Sequence, residues 1–428
     1  MNSTKIAFIA QPIDPVIPPR QNSIGIIIYE IARRLVGPRS VTIYANRNAN
    51  HKRVSELNGL TFRFFSTQID QAFIKFFNRI LDKLPRCLKP KLPFYACTLY
   101  YLSYIIKVSL ELRSEQFHIA HVINFSQFIP VIRAFNPKIK IILHMECEWL
   151  SQLHKPDIQR RLRKTDLIVG CSEFITNKIR ERFPFTHNIC HSIYNGVDPN
   201  LFDSEKRRGN REKERDTAAH RLLFVGRGSP EKGVHVLLDA LRIIIADDPS
   251  VQLQLVGFFG SAPPKEFIVS VSNDPKVHDL EPYYDGDYRS FLNSKLSSGL
   301  INHVDIKGVV SYADEPSLYR GAHVFVFPSV WHEPFGMPVI EAMSCGLPVV
   351  STRSGGITEL VEDGKTGLLV ERGDSQMLAD AIMRLLRDDP LRELMGKAGR
   401  KRVLERFTWD KIAEGFLTLY KYLYYERA

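Results

Sequence analysis

Residues 327–356 read FPSVWHEPFGMPVIEAMSCGLPVVSTRSGG. The apolar run HVFVFPS (323–329) is a buried strand that stops at Pro328, and a loop holding Trp331, His332 and Glu333 follows. Pro338 suits the first turn of a helix that Val339, Ile340, Glu341, Ala342 and Met343 continue. LPVVST (347–352) is the next strand. A strand, loop, helix and strand in this order make a parallel unit. The backbone N–H groups of Phe335, Gly336, Met337 and their neighbours stand at the helix N-terminus, open to hydroxyl or phosphate oxygens. Glu333 in the loop and Glu341 in the first turns face the same strand end. Two glutamates at such a spacing, taken alone, are coincidence.

Outward from this stretch the same period repeats. KIAFIA, VTIYA, HIAHVIN, IKIILH and DLIVGCS in the first half, and RLLFVG, VQLQLVG, VDIKGVV and TGLLV in the second, are short apolar runs separated by helix-length segments. Strands apolar on both faces predict parallel sheets covered by helices. The expected fold is α/β, with two facing Rossmann-like doubly wound domains and ligands in the cleft between them. The boundaries fall at 1–202 for the first domain, 203–219 for a polar linker or exposed loop (DSEKRRGNREKERDTAA), 220–406 for the second domain, and 407–428 for an aromatic-rich helix that crosses back to the first.

The 428 residues are 44% hydrophobic and 25% charged, which excludes disorder and a polytopic membrane protein. Charge is uneven: residues 1–200 hold 28 basic and 14 acidic side chains, whereas the rest is near neutral. The first half is therefore expected to meet something anionic. Segment 73–113 mixes Lys75, Arg79, Lys83, Arg86, Lys89 and Lys91 with Phe73, Phe76, Phe77, Phe94 and several tyrosines. This is either a surface for anionic lipid or a solvated basic helix pair. No nucleic-acid module is recognisable. Six scattered cysteines give neither a disulfide framework nor a zinc site. IAFIAQ near the N-terminus is too short for a signal-peptide core, and the longest uncharged apolar run, Leu92–Ile106, is too short to span a bilayer. The expected location is cytoplasmic, with peripheral attachment to a membrane left open.

Asp285-Gly286-Asp287 is a competing signal, because an Asp-x-Asp pair can hold a divalent cation against a diphosphate. It lies in a Pro/Gly/Asn-rich excursion over 258–287, where a turn is the better reading and the excursion itself reads as a lid or substrate-shaping loop.

The Glu333-to-Glu341 motif inside HEPFGMPVIEAMSCGLPVVSTRSGGITELV resembles the signature of retaining glycosyltransferase family 4, the glycogen-synthase-like and mannosyltransferase-like group. LLFVGRGSPEKGVHVLLDAL and GKTGLLVERGD extend the resemblance over most of 220–410; GIIIYEIARRL, the His after IKIIL, CSEFI and YNGVD carry it more weakly over 1–200. The resemblance implies the GT-B fold and a nucleotide-diphosphate sugar donor, UDP- or GDP-linked, held mainly by the second domain. It implies no cofactor and no metal, with Arg227 and Lys232 stabilising the leaving diphosphate by a bidentate and a point charge. Read alone, GRGSPEKG is a turn with a solvated Arg and Lys. By the same resemblance His144 lies near the donor sugar, Glu333 binds sugar hydroxyls, Glu341 binds the ribose, and Phe335, Gly336, Met337 and Pro338 line the donor. Gly25, opening the first domain's helix after a proline-rich loop, lets backbone N–H groups approach a phosphate; where the family often has two adjacent glycines, this chain has Ser23-Ile24-Gly25.

The expected reaction is metal-independent transfer of a sugar to an acceptor hydroxyl, giving an α-glycoside. The acceptor is a sugar, a lipid-linked sugar or a small-molecule glycoside. No residue stands out as the carboxylate nucleophile a double inversion requires, so a front-face displacement is expected. The alternatives are a nucleotide-sugar epimerase or phosphorylase, and a non-catalytic scaffold for membranes or polyanions.

Overall fold

The structure, a computed structural model, describes residues 4–37, 39–48, 52–83, 93–203, 220–259 and 262–425. The polar 203–219 stretch, apart from Asp203, lies outside them, as do Cys87, Arg86, Lys89 and Lys91. The chain divides into two compact units, one of residues 1–194 with 412–428 and the other of residues 195–411.

The first unit holds β1 (Thr4–Ile9), β2 (Arg39–Asn46), β3 (Val54–Leu57), β4 (Leu60–Phe65), β5 (Ile119–Ile123), β6 (Lys140–Met145), β7 (Leu167–Gly170) and β8 (Cys190–Ser192). Their order is β3-β4-β2-β1-β5-β6-β7-β8, parallel except for the β3–β4 pair. Both faces of β5 and β7 are buried, which is why their sequences are apolar without alternation. Three strands were not expected. β3 and β4 form a hairpin on Asn58-Gly59, both with positive φ (52° and 76°), and β8 is only three residues long.

The second unit holds β9 (Arg221–Val225), β10 (Gln252–Val256), β11 (Val304–Gly308), β12 (Val324–Phe327), β13 (Val349–Thr352) and β14 (Gly367–Val370). The order β11-β10-β9-β12-β13-β14 is all parallel and reverses direction between β9 and β12. Loops leaving the carboxyl ends of those two strands diverge at the reversal, which is where doubly wound sheets bind ligands. The segments after β9 and β12 are the two that carry Arg227, Lys232 and Glu333.

The last helix, Trp409–Tyr425, begins in the second unit and ends in the first. Trp409 packs on Gly196, while Phe416 and Tyr420 pack on His121, whose Nδ1 is 2.6 Å from the Tyr420 hydroxyl. Among the described residues Cys97, Cys147, Cys171, Cys190 and Cys345 form no disulfide.

Candidate active site

Lys232 closes a one-turn helix, Pro230–Lys232, and Gly233 follows in the left-handed region at φ +72°. A β-carbon on Gly233 would stand 2.0 Å from the Pro328 carbonyl oxygen. The glycine thus lets the β9 loop press against the end of β12. Across this contact Lys232 Nζ donates to both carboxylate oxygens of Glu333, at 2.7 and 2.9 Å. The ammonium also lies 5.0 Å from the Trp331 ring centre and 5.5 Å from that of Phe327. Glu333 accepts two further bonds, from the Ser329 hydroxyl and from Trp331 Nε1 at 2.7 Å. A buried carboxylate with three donor groups, one of them a cation, is fixed in direction.

Arg227 is half-exposed and reaches Glu231 Oε1 at 3.4 Å. Glu231 is fully buried and accepts from the Ser229 hydroxyl, at 2.6 Å, and from the Tyr284 hydroxyl. Burial and the adjacent carboxylate drive the Tyr284 pKa far up, so its phenol stays a donor. Lys232 and Arg227 therefore each have one carboxylate partner, Glu333 from the loop after β12 and Glu231 from the β9 loop itself.

Glu341 sits apart from that pair, inside the Met337–Ser344 helix. Pro338 occupies its first turn, Gly336 precedes it at φ 112°, and no side chain caps that end. The Tyr319 hydroxyl donates to Glu341 Oε2 at 2.8 Å. Burial raises the Glu341 pKa against that bond's opposing effect; burial and the charge of Glu341 raise Glu315 as well. Phe335 and Met337 are buried.

The two expected residues of the first unit have other surroundings. Gly25 N–H donates to Asn22 Oδ1 at 2.8 Å, the N-cap bond of the Ser23–Leu35 helix. A β-carbon there would lie 2.0 Å from the Pro15 carbonyl oxygen, so close packing of the proline-rich loop already requires this glycine. His144, next to last in β6, is wholly buried, 5.2 Å from the rings of both His121 and Phe416. Its Nε2 lies 2.8 Å from Glu146 Oε1 but outside hydrogen-bond geometry.

The excursion after β10 is largely built structure, with a small core of Ile268, Val269 and Val277 against which Phe267, Tyr284 and Trp331 pack. Asp274 fastens it through Arg372 and, at 3.3 Å, His332 Nε2. Asp285 pairs with Lys265 at 2.6 Å, and Asp287 caps the Tyr288–Ser297 helix through Ser290, so both carboxylates of the Asp-x-Asp pair have structural work. Among the described residues no group of three or more His, Cys, Asp or Glu is arranged to hold a metal ion. A separate cavity of about 430 Å³, lined by residues such as Leu238, Phe259, Leu292 and Lys307, contains none of Arg227, Lys232, Glu333 or Glu341.

Sequence reasoning missed Ser229, Glu231, Trp331 and Tyr284 as support for these groups. Glu231 had a signal: an acidic residue inside a basic phosphate-type turn. Tyr284 had none, because it arrives from 53 residues downstream.

Residues 205–402 match the family described as Glycosyl transferases group 1, and residues 24–201 match Glycosyltransferase Family 4. The putative glycosyltransferase YtcC of Bacillus subtilis is 30% identical over 73% of this chain and 75% of its own length. The lipopolysaccharide 1,2-N-acetylglucosaminetransferase of Salmonella typhimurium is 24% identical over 96% of this chain and 97% of its own. Among solved structures, HepE of Anabaena in complex with UDP and glucose superposes with a TM-score of 0.71 at 21% identity, over 98% of this chain and 99% of that one.

Proposed function

The chain belongs to the GT-B glycosyltransferases, and from that premise we propose that it is a retaining, metal-independent enzyme of family 4 whose donor is a UDP-sugar. The observation that carries this is the Lys232–Glu333 pair at the reversal of the second sheet, flanked by Arg227. The choice of UDP rests on the HepE structures, which hold UDP or UDP-glucose.

In this reading the diphosphate lies over the β9 loop. The bond from the anomeric carbon to the β-phosphate oxygen breaks, and its electron pair stays on that oxygen. Lys232 and Arg227 meet the growing charge, a stabilisation worth about 3–4 kcal/mol per well-placed group. Glu333, released in part from Lys232, takes hydroxyls of the sugar, and Glu341 takes those of the ribose. The acceptor oxygen bonds to the same face of the anomeric carbon, and its proton passes to the departing phosphate. His144 contributes to the sugar only after the groups around its ring shift, since it is buried.

The test is proton NMR of the product or, without an acceptor, of the sugar released from an α-linked UDP-sugar by slow hydrolysis. The α-anomer as first product, in the presence of EDTA, is expected. A β-anomer, or loss of turnover with EDTA, contradicts retention or metal independence respectively.

A further inference from the structure

The Gln68–Lys83 helix of the first unit has a wider apolar surface than its packing uses. Ile74, Phe77 and Leu81, all half-buried, form the inner face; the Phe77 ring lies 4.4 Å from that of Phe94, tilted by 33°. Asp70, on the same side, accepts from the backbone N–H groups of Ser103 and Tyr104 at 2.8 and 3.1 Å, tying the helix to the start of the Leu102–Ser114 helix. Phe73, at the border of this face, also packs on it, its ring 5.9 Å from that of Phe77 and 6.1 Å from that of Phe94. Its second face is a stripe at positions 69, 73, 76 and 80, the recurrence of one side of a helix. Those residues are all large and exposed: Ile69 by 70%, Phe73 by 40%, Phe76 by 61% and Ile80 by 40%. Four bulky apolar side chains in line are more than scattered surface hydrophobics.

Beside the stripe, at the same four-residue interval, stand Lys75, Arg79 and Lys83, all exposed. Their helical positions put them along one edge of the stripe, and none forms an ion pair with another described residue. Apolar side chains flanked by unpaired cations match the boundary between acyl chains and anionic headgroups. A second copy of the helix fits poorly, because it would set one cationic row near another. The surrounding sequence agrees in sign, with 28 basic and 14 acidic residues over 1–200.

We propose that the Gln68–Lys83 helix is a membrane-docking element that lies in the surface of an anionic bilayer, with Ile69, Phe73, Phe76 and Ile80 in the acyl boundary and Lys75, Arg79 and Lys83 at the headgroups. Attachment is peripheral: among the described residues no helix is long and apolar enough to cross a membrane. The proposal goes beyond the donor chemistry and does not depend on it. It does imply that the enzyme works where a lipid-borne acceptor is concentrated.

The test is flotation of the full chain with phosphatidylcholine vesicles, with and without about a third phosphatidylglycerol. At ~0.1 M salt the anionic vesicles are expected to carry at least about tenfold more protein, and the excess should fall at ~1 M salt. Lys75→Glu with Arg79→Glu should reduce binding at least about tenfold. Phe76→Ser with Ile80→Ser should do the same through the apolar contact. Both pairs lie outside the donor site, so the unfolding midpoint and the shift induced by UDP should remain. Binding that is equal on neutral vesicles, absent on anionic ones, or unchanged in both variants overturns the proposal. So does a wild-type dimer that Phe76→Ser dissociates, which would assign the stripe to a second copy. Should the apolar variant fail to fold, the charge variant alone decides. A failed flotation with an intact UDP shift leaves the donor reading standing.

Discussion

Glu341 and Glu315 show how a single buried carboxyl couples binding to stability. Both have pKa values raised in the fold, so between the ordinary carboxylate value and the raised one the folded state binds more protons than the unfolded chain. Stability from this pair is complete below about pH 4 and declines as pH rises toward the raised values. Glu315→Gln removes the half-buried member of the two neighbouring carboxyls. It is expected to stabilise the protein at pH 8 by about 1–3 kcal/mol and to have little effect at pH 4, measured as urea unfolding midpoints at the two values. An equal effect at both would mean that ionisation is not the cause. At this scale the motif residues were legible because their chemistry is encoded within a few positions: Lys232 five residues after Arg227, Glu333 in a loop that a strand and Pro338 delimit. Glu315 was not, since its relation to Glu341 arises from packing between separate helices.

Among elements, the strands with unbroken apolar runs were read directly, and the ones missed had weaker signals. β4 alternates buried and half-buried residues, as an outer strand does, and the Asn58-Gly59 turn before it is a hairpin signal that went unread. β8 is too short for any period. The excursion after β10 looked like a loop for the opposite reason: its prolines and glycines hide short helices held by long-range contacts. Tyr284 is the most consequential of these, since its hydroxyl serves the buried Glu231 that in turn receives Arg227. Tyr284→Phe leaves a buried carboxylate oxygen short of a donor and is expected to cost about 1–3 kcal/mol. Amide exchange should quicken over residues 265–285, with slower turnover through a less ordered Arg227. Unchanged exchange there would show that Tyr284 does not hold the excursion.

At the scale of the whole molecule, two largely parallel sheets were foreseeable from the repeated strand–helix period, and the second has its reversal between β9 and β12, the kind of place where doubly wound sheets bind ligands. The uneven charge was legible too, but composition alone could not say which surface carries it; the Gln68–Lys83 helix sets part of it, at Lys75, Arg79 and Lys83, beside exposed apolar side chains. In the proposed function, Lys232 and its neighbours at this reversal hold a nucleotide diphosphate. The most direct measurement is the unfolding midpoint with UDP, GDP and ADP, each with and without EDTA, for the wild type and Lys232→Ala. Ligand at 100 times its dissociation constant adds about 2.7 kcal/mol, several degrees in midpoint. A shift with UDP that EDTA leaves intact and Lys232→Ala abolishes is predicted. The same shift in the variant, or none with any nucleotide in the wild type, would contradict the donor site.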